Sequence, residues 1–162
     1  MYLEPRLFNE GQRPAVDVGR SVSRVGGHAQ APLLAALSGN LRLQYTQFLE
    51  LEAFTRYGAM LDEHTRRQLE HGRRIRAVLV QRRFVPMRVE EEVALLVALE
   101  EGLLDDIPSA LLPTRIEEIR SAAREQLAAM VQRVVDAALS ATDRSALREA
   151  LREALPPPRT GG

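Results

Sequence analysis

Gly11-Gln-Arg-Pro-Ala-Val-Asp-Val-Gly-Arg-Ser-Val-Ser-Arg-Val-Gly-Gly-His-Ala-Gln30 does not read like the helical sequence that follows it. Pro14 introduces a short β-type run, Ala15, Val16 and Val18, and Gly19 breaks it. Ser21-Val-Ser-Arg24 then leads into the paired glycines Gly26 and Gly27. β-branched residues beside glycines describe a strand end that turns sharply. An arginine at such a bend is held at a fixed place by backbone. A planar, permanently charged guanidinium is suited to two-point contact with phosphoryl oxygens.

Downstream of this bend, from Ala29 onward, the apolar spacing turns helical. Leu33, Leu34 and Leu37 make a short apolar turn that Ser38-Gly39 is expected to stop, with Asn40 as the next N-cap. The helix that follows carries Leu41, Tyr45, Phe48 and Leu49 at steps of three and four. Leu51, Phe54 and Tyr57 widen its stripe and Gly58 ends it. Holding most of the aromatics, it is expected to be the central core helix. Asp62 caps a heavily charged helix from Glu63 to about Gln81. Its apolar face is thin (Leu61, Leu69, Ile75, Val78 and Leu79), so one side is solvated or faces a partner.

Pro86 disfavours helix at Val85. Helix resumes from Val89 to Glu101, with Glu90, Glu91 and Glu92 in the first turn, where the helix dipole favours negative charge. Val89, Val93 and Leu96 mark its buried face, and Gly102 to Pro108 is a turn. Pro113 begins the longest helix, to about Ser140, with Ile116, Ile119, Ala123, Leu127, Met130 and Val134 on one side. Thr142 or Asp143 caps a last helix bearing Leu147, Leu151 and Leu155, and Pro156-Pro-Pro158 stops it. Upstream of the bend, Tyr2 to Phe8 starts as a possible strand that Pro5 ends. Residues up to about Arg24 have exposed edges and little to pack on, and are expected to be poorly ordered or borrowed into crystal or dimer contacts.

The 162 residues are within the usual range for one domain. They are 45% hydrophobic but only 4% aromatic, so the core is Leu, Val, Ala and Ile. The 22 basic residues balance 22 acidic ones, and nothing global argues for nucleic acid or an anionic membrane. Every basic residue is arginine, which a coding bias explains, so arginine usage nominates no site by itself. There is no cysteine, which excludes disulfide and thiolate chemistry. No apolar run approaches the roughly 20 residues that span a bilayer, and the N-terminus has no signal-peptide pattern.

Pro14-Ala-x-x-x-Gly19-x-Ser21-Val-Ser-Arg24-Val-Gly-Gly27, with Ala29-Gln30 just after, resembles the alpha subunit of F-type ATP synthases. The likeness continues through Gly39-Asn-Leu-Arg-Leu43, Phe48-Leu-Glu-Leu-Glu-Ala-Phe54, Gln68-Leu-Glu-His-Gly72, Pro86, Val89-Glu-Glu-Glu-Val93 and Gly102-Leu-Leu-Asp-Asp-Ile-Pro108. A lone Ser-Val-Ser-Arg is weak; this many blocks in one order are specific.

The resemblance implies an all-α fold: a C-terminal helical bundle preceded by a short strand/turn remnant of a nucleotide-binding domain. Residues 1–28 are the remnant carrying an arginine finger, 29–155 the helical bundle and 156–162 a disordered tail. No Gly-x-x-x-x-Gly-Lys-Ser/Thr exists here, and without lysine none can. The chain is then the C-terminal part of a longer subunit, with Met1 an artificial or internal start, and is expected to be inactive alone. The implied whole is an ATP synthase that makes or hydrolyses ATP coupled to transmembrane ion (proton) transport. Its alpha subunit is the regulatory, non-catalytic partner, bound to beta subunits and the central stalk gamma subunit. It uses ATP or ADP with Mg2+ and lies peripherally on the cytoplasmic face of the bacterial inner membrane. The alternative is an autonomous helical adaptor or regulatory domain derived from that subunit.

Arg24 on its own reads as a surface arginine in a loop. By resemblance it matches the arginine finger that the alpha subunit offers to the nucleotide in a beta-subunit catalytic site. Ser21 matches a position needed for activity, where it would tie the bend down and so aim Arg24, while Ser23 reads as turn hydrogen bonding. Arg13, Pro14, Gln81 and Arg83 match the lining of the adenine pocket of the non-catalytic site. The chain departs from the family at Arg83, where a second glutamine is common; an arginine can still stack on the base. The isolated chain is expected to show no measurable nucleotide affinity. His28, His64 and His71 read as solvated polar positions rather than metal ligands. Glu90 to Glu92 read as helix-dipole compensation, and Asp105-Asp106 as turn residues. By resemblance, the turn they occupy lies where the subunits surround the rotating stalk.

Overall fold

A computed structural model of the chain describes residues 2–9, 11–18, 20–21, 31–55, 61–81, 84–134 and 140–155. These form helices and one isolated antiparallel bridge, an all-α fold. The chain divides into two compact units, residues 1–30 with 38–86 and residues 31–37 with 87–162. The sequence readings at Tyr57, Gly58 and the 156–162 tail lie outside the described residues.

The first unit starts with Leu3 bridged to Val16, and two further backbone bonds support the bridge. Glu4 N donates to the Ala15 carbonyl at 3.0 Å and Asp17 N to the Tyr2 carbonyl at 2.9 Å. Pro5 opens a short helix, α1 (Pro5–Asn9), since a proline in a first turn lacks only an N–H that has no helical partner. Gly11 turns the chain at φ +85, a conformation that favours glycine. The expectation that this segment has little to pack on fails at Leu7 and Gln12, which are both buried.

α2 (Pro32–Thr55) runs straight through Ser38-Gly39-Asn40, where the sequence predicts a stop and a new cap. A glycine inside a helix costs about 1 kcal/mol relative to alanine. Burial outweighs that cost. Leu33 and Leu37 before the glycine, and Tyr45 and Phe48 after it, are at most 1% exposed, and each such side chain contributes about 1.5–3 kcal/mol. Phe54, expected on the buried stripe, is 64% exposed.

α3 (Glu63–Leu79) begins at Asp62, whose Oδ1 accepts from the Thr65 N–H at 2.7 Å, the cap the sequence predicts. Leu69, Ile75 and Val78 form its buried face. Gly72 is on that face for lack of room. A Cβ there would fall 2.1 Å from the Phe48 ring, so α2 and α3 approach where a side chain is missing.

In the second unit α4 (Val89–Glu100) is enclosed from Val93 to Leu99 without interruption. α4 is the central helix of this unit. A Schellman arrangement closes it: Leu103 N donates to the Ala98 carbonyl at 2.9 Å and Gly102 N to the Leu99 carbonyl at 3.4 Å. Gly102 takes the required left-handed conformation, φ +70. After a 3-10 turn at Ser109–Leu111 come α5 (Leu112–Ala122), one π-helical turn (Ala123–Leu127) and α6 (Ala128–Val134), head to tail. The sequence predicts a single helix here and gives no sign of the π turn. α7 (Ala141–Ala154) is capped by Ser140 rather than Thr142 or Asp143. Ser140 Oγ accepts from the Asp143 N–H at 3.1 Å and Asp143 reaches back to the Ser140 N–H at 3.2 Å. Leu147, Leu151 and Leu155 are buried as the spacing predicts.

Candidate functional site

Arg13 and Gln81, distant in sequence, are adjacent in the first unit. At the end of α3 the chain becomes extended at Val80, and the Gln81 N–H donates to the Arg13 carbonyl at 2.8 Å. The Arg13 guanidinium is held by the α1 turn. It donates to the Phe8 carbonyl at 2.6 Å and to the Gln12 carbonyl at 3.3 Å, and lies 3.5 Å above the Phe8 ring. Arg13, Pro14 and Gln81 are all exposed, and the backbone bond brings their two segments side by side. The fourth member of the set, Arg83, lies outside the described residues.

Beneath Arg13 runs a polar chain that sequence spacing does not reveal. Tyr45 is 1% exposed, and its hydroxyl donates to Gln12 Oε1 at 3.0 Å. Arg76 Nε donates to that hydroxyl at 3.5 Å, a long contact. The other guanidinium nitrogens of Arg76 grip Glu52 in a two-point pair at 2.8 and 2.6 Å. The guanidinium also lies 4.7 Å from the centroid of the Phe48 ring. Burial works against the Arg76 charge, but Glu52 and Tyr45 outweigh it and raise its pKa above the ordinary arginine value. The residues come from the N-terminal segment, α2 and α3, so no local repeat could have flagged them.

Ser21 is fixed at both ends. Its N–H donates to the Asp17 carbonyl at 3.0 Å, and its Oγ accepts from the Tyr2 N–H at 2.9 Å. Arg24, Ser23 and His28 lie outside the described residues.

A second polar cluster belongs to the second unit. Glu91, 2% exposed, accepts from the Arg88 N–H at 2.8 Å and is paired with Arg124. Arg120 Nε is 3.5 Å from the same carboxylate, and Glu117 reaches Arg120 at 3.4 Å and Arg124 at 3.8 Å. Burial raises the Glu91 pKa. The Arg88 N–H, Arg124 and Arg120 outweigh that and hold the carboxyl below its usual range. Helix-dipole compensation, the sequence reading of Glu91, therefore understates it; the side chain is both cap and core ion pair. Arg124 lies on the π turn, which the sequence does not foretell. His64 is exposed and His71 half-buried, and no cluster of metal-ligating side chains occurs among the described residues. No helix among them is long and apolar enough to cross a membrane.

The family model described as ATP synthase alpha/beta chain, C terminal domain, matches residues 30–154. ATP synthase subunit alpha 1 of Paraburkholderia xenovorans is 48% identical over 153 residues, covering 93% of this chain and 29% of that protein. ATP synthase subunit alpha 2 of Syntrophus aciditrophicus is 43% identical over 156 residues, covering 96% and 30%. ATP synthase subunit alpha 2 of Nitrosospira multiformis is 56% identical over 108 residues, covering 67% and 21%. The chain thus spans less than a third of the length of these relatives.

Proposed function

The chain belongs to the ATP synthase alpha/beta C-terminal domain family, within its alpha subunits, and from that premise we propose that it serves a rotary synthase by completing a neighbour's catalytic site. Arg24 is the group it supplies. As the terminal phosphoryl group separates, charge spreads over its oxygens, and a positioned guanidinium stabilises that charge more than the ground state. The observation that carries this reading is the double tether of Ser21, to Asp17 and to Tyr2, three residues before Arg24. A finger needs a fixed root, and the tethered Ser21 is the one proposed here.

The partners are beta subunits and the central stalk gamma subunit, and the work is ATP synthesis or hydrolysis coupled to ion transport. The complex is peripheral on the cytoplasmic face of the membrane. Arg13, Pro14, Gln81 and Arg83 face the adenine ring of a second, non-catalytic nucleotide, held with Mg2+ by parts of the subunit outside this chain. An amide reads the base edge and the proline ring packs on its face. The cluster of Arg13, Pro14 and Gln81 at one exposed place supports this.

The test is Arg24→Ala in the assembled complex. Multi-site ATP hydrolysis should fall by roughly 10³-fold or more, the range for arginine fingers supplied in trans, with assembly intact. Turnover near that of the unaltered complex would remove Arg24 from the reaction.

A further inference from the structure

We propose that Gln12, Tyr45 and Arg76 are positioning residues for the base-facing site: they touch no ligand but fix the Arg13 segment against the end of α3. The inference rests on the reading of Arg13, Pro14 and Gln81 as base-contacting.

Two cross-links join the same pair of segments. One is the backbone bond from Gln81 to Arg13. The other runs from Arg76 through the Tyr45 hydroxyl to Gln12. On one side the anchor points are neighbours, Gln12 and Arg13; on the other, Arg76 and Gln81 are both at the end of α3. A single bond would leave the segments free to pivot, whereas two separate ones set their register. The inner link is also shielded: Tyr45 and Gln12 are buried, and Arg76 is locked by its two-point pair with Glu52. Hydrogen bonds are directional, so this chain specifies a register that apolar packing of the same volume would leave loose. Gln12 Oε1 accepts from Tyr45, and Gln12's own carbonyl accepts from the Arg13 guanidinium. A shift of Gln12 therefore reaches Arg13 directly.

The experiment uses the assembled complex built with the complete subunit, and reads retention of ATP and of GTP at the non-catalytic sites. Tyr45→Phe keeps the ring and deletes the hydroxyl. ATP retention should weaken by about tenfold, the upper end for one hydrogen bond, and the preference for adenine over guanine should shrink. Loss of stability alone could mimic the first effect, so a Gln12→Met, Tyr45→Phe double variant is measured beside it. Removing both partners of the Tyr45–Gln12 bond leaves neither of them unsatisfied, and Arg76 keeps its two-point pair with Glu52, so thermal stability should be largely restored, yet the base preference should stay reduced. A double variant that regains both stability and preference makes the chain structural only and overturns the proposal. Gln81→Ala separates the two levels. If it lowers ATP retention while Tyr45→Phe does not, positioning fails and the base site stands. If Gln81→Ala changes nothing, the base-site reading itself falls, and this inference with it.

Discussion

The second unit encloses α4 from Val93 to Leu99, while the first leaves large apolar side chains in the open. Among the described residues, Tyr2, Leu3, Phe8, Leu43, Phe54, Val80, Phe84 and Val85 are all exposed, and all fall in the first unit. Its interior combines the buried side chains of Leu7, Phe48, Leu69, Ile75 and Val78 with a polar chain and one close approach at Gly72. The second unit is closed by leucines on α4, α5 and α7, with one ion cluster at the head of α4. The contrast separates two jobs. A unit whose apolar surface is inside can fold on its own account. One that leaves a share of it outside presents a surface suited to being covered, as exposed apolar patches commonly are.

The sharpest way to break this contrast is at Glu91. Glu91→Ala leaves the Arg120 side chain, 9% exposed, without its buried counter-charge. Removing one partner of a buried pair typically costs about 3–5 kcal/mol, and urea unfolding followed by helical circular dichroism should show a loss of that order. A change under about 1 kcal/mol would mean that the cluster is hydrated and the second unit is less closed than described. The same residue carries a pH signature. Its folded pKa lies below the ordinary glutamate value of 4.5, so its stabilising contribution is present above pH 4.5 and is lost as pH falls below it. Glu91→Gln should be less stable at pH 7 and show a shallower decline through the acid range. A decline as steep as in the unaltered chain would assign acid sensitivity elsewhere.

Gly72 tests the first unit in the same way. A Cβ at that position meets Phe48 at 2.1 Å, and overpacking of this kind costs about 1–3 kcal/mol. Gly72→Ala should lower the melting temperature; Gly39→Ala, where nothing stands within 4 Å, should raise it slightly. If both substitutions behave alike, α2 and α3 do not pack as described.

A smaller lesion probes the end of the second unit. Ser140→Ala removes the oxygen that accepts from the Asp143 N–H. N-cap losses are typically about 1 kcal/mol, so the denaturation midpoint should fall modestly, and Thr142→Ala should leave it unchanged.

The caps show how far sequence reasoning reaches. Asp62 and Gly102 work through bonds to residues three positions away, and Pro113 through a fixed φ and a missing N–H that a first helical turn does not need; such local chemistry is visible in a linear string. Ser140 does not stand out from Thr142 and Asp143 in the sequence, because propensity ranks residue types and does not choose among adjacent ones. The predicted stop at Gly39 failed for another reason. Burial of Leu33, Leu37, Tyr45 and Phe48 is a tertiary effect that a local glycine penalty does not register. The candidate site divides along the same line. Arg13, Pro14 and Gln81 were legible only through family likeness, and their adjacency then followed from the backbone bond at Gln81. Gln12, Tyr45, Arg76 and Glu52 carry no motif, since each contact joins segments far apart in the chain.

Phe54 carries the finest version of the comparison, because its expected effect is near zero. The helical spacing assigns it to the buried stripe, and the fold leaves it 64% exposed. Phe54→Ser removes little packing from the isolated chain, and its stability should stay within about 0.5 kcal/mol, the usual range for surface substitutions. The benefit should appear in solubility, since an exposed aromatic ring promotes self-association. Were Phe54 part of a core, the same change would cost about 3 kcal/mol or more, as deletion of a buried aromatic does. Those two outcomes differ by several times the error of a denaturation midpoint. A large loss would return Phe54 to the stripe that the sequence drew. A negligible one makes the first unit a surface left apolar for a neighbour to cover, the property that sets it apart from the closed helices of the second.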